Sequence, residues 1–177
     1  MLYTGKGDGG TTKTFGPDQP RISKASELPE ALGSLDELNA FVGYVRTQAK
    51  GEMRIHDTLR VVQEKLFIVQ AETAGADKRL VKADVEVVEA IVNGIEKEIA
   101  PLTGFSVAGG TELSALLDVA RTLARRAERR IVAVVEGGFR ELTPETRAYM
   151  NRLSSLLFAL ARLANHLEGV AEENPKY

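Results

Sequence analysis

From about residue 27 onward, apolar residues return every three or four positions almost without interruption, and strict strand-type alternation is absent. A chain patterned in this way buries its apolar residues by laying helix against helix, so the expected class is all-α. Five long helices are readable. The first runs from about Glu27 to Ala49 and stops at Lys50-Gly51. The second, about Met53 to Ala74, spaces Ile55, Leu59, Val62, Leu66 and Val69 like the seam of a bundle. The third spans about Ala83 to Ala100, with Pro101 as its stop. The fourth follows Thr111, an expected N-cap, and reaches about Glu136 before Gly137-Gly138. The fifth starts from Thr143 as cap with Pro144 in its first turn and continues to about Val170. Short connections predict antiparallel neighbours in one single-domain five-helix bundle, residues 27–177, preceded by an irregular segment, residues 1–26. The fifth helix is apolar on several sides, so it is either central in the bundle or shared with a second subunit, and a homo-oligomer is expected.

Composition narrows the chemistry. The 177 residues carry a net charge of -2, which gives no overall field for nucleic acid or an anionic membrane, so any bound anion needs a local cluster. With no cysteine, disulfides, thiolate metal sites and a cysteine nucleophile are excluded. Two histidines, His56 and His166, do not make a His-rich metal site. No signal peptide or membrane-spanning run is readable, and a cytoplasmic location is expected.

Several clusters could carry chemistry. Thr4-Gly5-Lys6-Gly7-Asp8-Gly9-Gly10-Thr11-Thr12 sets four glycines, three hydroxyls and a lysine in nine residues, a composition that can turn tightly and aim N–H groups at phosphates. Gly5, Gly7 and Gly10 fit the dinucleotide-binding glycine spacing, but no strand of adequate length precedes them, and a floppy terminus is the competing reading. Asp8 among the glycines suits a magnesium-bound phosphate. Between Arg121 and Arg130 stand five arginines in ten residues. Arg121, Arg125 and Glu128 fall along one border of the helix's apolar stripe, and Arg126 and Arg130 along the other. Guanidinium forks suit a polyphosphate, although such a run read alone is more often a solvated face with ion pairs. In the first helix, Asp36 borders the stripe as a candidate partner for one of these arginines, Asn39 lies on it, and Gly33 costs about 1 kcal/mol relative to alanine. The loop from Pro101 to Gly110 sets Phe105 and Val107 directly before the arginine helix, and Asn151-Arg152 lie away from the leucine stripe of the last helix.

Taken in order, Thr4 to Thr11, Lys24, Ala31 to Asn39, Phe105 to Gly110, Arg121 to Arg130 and Asn151 to Phe158 closely resemble the PduO-type ATP:cob(I)alamin adenosyltransferases, over nearly the whole chain. The resemblance implies a homotrimer of five-helix bundles that binds ATP and the corrinoid between subunits. It implies transfer of the 5′-deoxyadenosyl group of ATP to the Co(I) of reduced cobalamin, with release of triphosphate. The reduced cobalt is then the nucleophile, so the lack of a nucleophilic side chain is no objection. By the same resemblance, residues Thr4, Gly5, Lys6, Gly7, Asp8, Gly10, Thr11, Thr12 and Lys24 wrap the triphosphate with magnesium. Arg125 stabilises the leaving charge, while Glu128 and Asn151 hold the nucleotide. Arg121 is expected to pair with Asp36 across the subunit interface at the corrinoid site. Phe105 is expected to occupy the lower face of the corrin and displace its base ligand, which eases reduction of Co(II) because an axial donor favours Co(II). A reductase and an adenosylcobalamin-dependent enzyme are the further partners implied. The chain has Ala108 where many members of the family it resembles carry proline, which puts the stiffness of the Phe105 loop in question. The competing functional readings are a non-enzymatic carrier or sensor that binds ATP or corrinoid, and a helical nucleic-acid binder, against which the charge balance stands.

Overall fold

The computed structural model describes residues 2–16 and 19–177. Two three-residue strands, β1 (Thr11–Lys13) and β2 (Arg21–Ser23), precede five helices: α1 (Glu27–Gln48), α2 (Met53–Ala74), α3 (Lys82–Glu98), α4 (Glu112–Glu136) and α5 (Pro144–Leu167). The strands pair antiparallel with Thr12 opposite Ile22, an element that the sequence pattern did not announce.

The helices follow the periodicity closely. Thr111 caps α4 by accepting the Ser114 N–H at 3.1 Å, and Thr143 caps α5 by accepting that of Thr146 at 3.3 Å. α3 ends at Glu98 rather than Ala100, because Ile99 is already extended and the residue before Pro101 disfavours helical backbone. α5 stops at Leu167, short of the expected Val170.

Neighbouring helices pack in the order α2, α1, α4, α5, α3. Leu35, Leu38, Leu59, Leu66, Leu117, Leu153 and Leu160 are among the fully covered side chains of the common core. Of the two readings for the greasy fifth helix, the central one is observed: Met150, Leu153, Leu156, Leu157, Leu160 and Leu163 are all covered within the chain by its neighbours. At the start of α1 a smaller cluster joins Leu28 and Ala31 to Val134 of α4, with Ile22 of β2 packed against it. That contact fixes the hairpin to the C-terminal end of α4. A polar tie closes the far side of the bundle: the buried Glu72 of α2 accepts the Thr143 N–H at 2.7 Å and the hydroxyl of Thr146.

Candidate functional site

α4 organises the candidate residues, and its 25 residues span about 37 Å. Three expected site residues come together near its N-terminal half. Arg121, Arg125 and Phe105 line one open cleft of about 480 Å³ with Leu102, Ser154, Ser155 and Phe158. Phe105 is 79% exposed, so a large aromatic ring is presented to solvent instead of being tucked into the core. Arg121 is partly buried and doubly held: its Nε donates to Asp118 at 2.9 Å, and its guanidinium lies 5.9 Å from the centre of the Phe158 ring. Arg125 is exposed on the next turn and lines the same cleft, where its guanidinium can meet an anion.

One turn further along α4, Glu128 accepts a hydrogen bond from Asn151 Nδ2 of α5 at 3.0 Å. Asn151 Oδ1 accepts from Arg152 at 2.7 Å, and Arg152 donates in turn to Glu89 of α3 at 2.9 Å. Glu128 and Asn151 thus form a hydrogen-bonded pair one turn along their helices from the cleft residues Arg125 and Ser154. The two borders read from the helical wheel are both real: Arg126 pairs with Glu37, and Arg130 with Glu30 at 3.3 Å, both on α1. Within the chain, therefore, Glu37 and Glu30 take these arginines, whereas Asp36 is exposed one position around the helix and Arg121 pairs with Asp118. Gly33 has open space where a side chain would stand, so no packing contact inside the chain requires glycine there.

The glycine-rich segment forms a compact loop at the other end of α4. The Asp8 N–H donates to Gly5 O and the Gly10 N–H to Gly7 O, each at 3.1 Å, and Lys24 N–H donates to Gly10 O at 2.9 Å. Arg21 locks the loop to the hairpin by donating to Thr11 Oγ1 at 2.8 Å, to Lys6 O at 2.5 Å and to Thr11 O at 2.6 Å. Lys24 lies over Gly7 so closely that a Cβ there would stand 3.0 Å from its Nζ. Thr4, Lys6, Asp8, Thr11, Thr12 and Lys24 therefore gather around one short loop, as expected from their types. Among the described residues no group of three or more His, Asp or Glu is suited to holding a metal ion, and His56 instead contacts Asp57 at 3.0 Å.

The structure does not bring the glycine loop and the Phe105 cleft together in one chain. The hairpin sits where Val134 and Gly137 end α4, Glu27 crowding Gly137, whereas the Phe105 loop leads into its first turn. Arg125 lies nine residues before Val134, about 13 Å along the axis, and on the α5 side.

Arg162 and Asn165, which the sequence pattern does not single out, are both buried on α5 and both tied to the Phe105 loop. An available signal was a cation in the apolar run Leu160-Ala161-Arg162-Leu163, since a buried charge needs a partner. Its partner, Glu172, lies in the tail beyond the last helix.

Comparison with known proteins places these features in context. Residues 2–164 match the family model for cobalamin adenosyltransferase. A corrinoid adenosyltransferase of Bacillus subtilis (strain 168) is 34% identical over 178 residues, covering 97% of this chain and 90% of that protein. One of Citrobacter freundii is 36% identical over 169 residues, covering 92% and 93%. A variant PduO-type ATP:corrinoid adenosyltransferase from Lactobacillus reuteri, solved in complex with cobalamin and ATP, superposes with a TM-score of 0.93 at 28% identity, over 99% of this chain and 97% of that one.

Proposed function

The chain belongs to the cobalamin adenosyltransferase family, and from that premise we propose how two half-sites at opposite ends of one helix carry out a single reaction. The chain is an enzyme for the ATP-dependent adenosylation of cobalamin. In our reading the reaction takes place in a cleft between adjacent subunits of a homotrimer, where the glycine loop of one subunit meets the Phe105 cleft of the next. The observation that carries it is the separation along α4: a nucleotide held by the Gly5–Gly10 loop lies at the end of the helix away from Phe105, and a second chain closes that gap.

The chemistry follows from charge. The electron pair of Co(I) forms a Co–C bond to the ribose 5′-carbon, the C–O bond at that carbon breaks, and its electrons leave on the triphosphate oxygen. The protein's tasks are to orient the two substrates, to stabilise the growing anion and to exclude water. Lys6, Lys24 and those N–H groups of the loop that do not bond within it bind the triphosphate, and Arg125 meets the charge that develops on it. The Glu128–Asn151 pair offers an acceptor and a donor to the nucleoside. Asp8 and the hydroxyls of Thr4, Thr11 and Thr12 are hard oxygen donors that suit magnesium, which would neutralise phosphate charge when it accompanies ATP. Phe105 presents its exposed ring to the lower face of the corrin, and Asp36, exposed on α1, is available to Arg121 of a neighbouring subunit. We place the enzyme in the cytoplasm, beside a reductase that supplies Co(I) and an adenosylcobalamin-dependent enzyme that uses the product.

Subunit complementation tests the shared site. Lys24→Ala and Arg125→Ala both change exposed side chains, and each is expected to abolish transfer with the bundle folded. Unfolded together and refolded as a 1:1 mixture, they regenerate intact sites at about one quarter of the interfaces of a cyclic oligomer, and activity returns to about that fraction of the parent. A mixture no more active than its components would refute a site built from two chains.

A further inference from the structure

We propose that Arg162, Asn165 and Glu172 are positioning residues for the corrinoid: they tie the Phe105 loop to the end of α5 and to the tail beyond it, so that the ring is held in place before the corrinoid arrives. The inference rests on the reading that Phe105 meets the corrinoid.

Both ends of the loop are gripped from one stretch of α5. At its start, Arg162 Nη2 donates to Ala100 O at 2.7 Å. At its end, Asn165 Nδ2 donates to Gly109 O, and Thr111 N–H donates to Asn165 Oδ1, each at 2.9 Å. Asn165 approaches so closely that a Cβ on Gly110, whose φ is +103°, would stand 2.5 Å from its Oδ1, so that position has to be glycine. The middle of the loop is held by the tail, where Val107 N–H donates to Glu173 O at 2.8 Å. The tail is held in turn by Arg162, whose guanidinium faces the Glu172 carboxylate with both Nε and Nη2, the latter at 3.1 Å from Oε2. Phe105 itself is left out of these ties and stays exposed.

These bonds matter because the loop's own large apolar side chains, Leu102, Phe105 and Val107, are all exposed. A cavity of about 450 Å³ lies between Pro101–Thr103, the end of α5 and the tail. Arg162 is buried and Glu172 lies at the surface, so the pair adds little net stability, whereas its two-pronged geometry fixes direction. A side-chain clamp thus does for this loop what proline would do at Ala108, and it accounts for a cation in the middle of an apolar helix.

The test compares Glu172→Gln, Glu172→Asp and Phe105→Ala in the full chain. It measures kcat and KM for cobalamin and for ATP, the melting temperature, and the spectrum of enzyme-bound Co(II)-cobalamin with its base ligand displaced. Glu172→Gln is expected to raise the cobalamin KM about tenfold and to diminish the base-displaced signal, with the ATP KM changed less than about twofold; Glu172→Asp recovers much of both. The proposal is overturned if Glu172→Gln leaves cobalamin KM and spectrum as in the parent while Phe105→Ala changes them, or if cobalamin and ATP parameters worsen together with the melting temperature. If Phe105→Ala itself changes neither cobalamin readout, the underlying reading of Phe105 fails, and the positioning role falls with it.

Discussion

Replacing Glu72 by alanine is expected to cost this protein about 3 kcal/mol of stability. The carboxylate is 2% exposed, at the end of α2, and the groups around it are donors: Thr143 N–H at 2.7 Å, Thr143 Oγ1 at 3.3 Å, Thr146 Oγ1, and Arg79 Nε at 3.6 Å. It also faces the first turn of α5, where the N-terminal dipole favours negative charge. Each hydrogen bond to a charged group contributes about 1.5–3 kcal/mol, and these are not additive. Removing the acceptor strands the buried Thr146 hydroxyl and leaves the space of one methylene and a carboxylate unfilled. A loss of about 3 kcal/mol corresponds to a melting temperature lower by roughly 6–12 °C in a chain of this length. Glu72→Gln keeps the volume but turns an NH2 group toward donors, and is expected to lose about half as much. Scanning calorimetry at neutral pH measures both. A Glu72→Ala protein that melts within about 2 °C of the parent would show that the cluster is not what anchors α5, the helix that carries Ser154, Ser155 and Phe158 to the cleft.

Two further outcomes are expected. Phe105→Ala loses more activity when the reaction starts from Co(II)-cobalamin with a reductant than when it starts from pre-reduced Co(I); equal losses would contradict displacement of the base ligand by this ring. Burial pushes the Asp84 carboxyl up, but the Lys65 ammonium at 2.6 Å and the Val81 N–H at 2.9 Å outweigh it and hold the group below its ordinary value. Its stabilisation is therefore present above the usual carboxylate range and lost as pH falls through the lowered value. The gap in melting temperature between the parent and Asp84→Asn should narrow from about pH 6 to about pH 3, and a gap independent of pH would refute the assignment.

What the chain disclosed in advance was whatever depends on neighbours in sequence. The five helices, the caps at Thr111 and Thr143, and the two borders of α4 follow from spacing within one turn or two, and all are observed. The hairpin escaped because strands of three residues are too short to show an alternation, and what stabilises it is a long-range set of bonds from Arg21. The gathering of Phe105, Arg121 and Arg125 into one cleft was legible only as a family likeness, since the loop and the helix meet through tertiary packing. The partners of Glu72, Arg162 and Asn165 were hidden for the same reason. These partners stand 71, 10 and 56 residues away, and a polar residue in an apolar run signals that a partner exists without saying where.

Arg21 gives the glycine loop a thermodynamic character that its composition would not suggest. A segment with four glycines in nine residues ordinarily pays a large entropy to adopt one shape around a ligand. Here the guanidinium reaches Lys6 O, Thr11 O and Thr11 Oγ1 within the chain itself, so most of that freedom is surrendered when the protein folds. The cost of fixing the backbone, about 1–2 kcal/mol for each residue, would then be removed from the encounter with a nucleotide bound there as proposed. Affinity for a triphosphate bound there, as proposed above, would become in part a property of hairpin stability, set by a cation whose own hydrogen bonds are directed inward at Lys6 and Thr11.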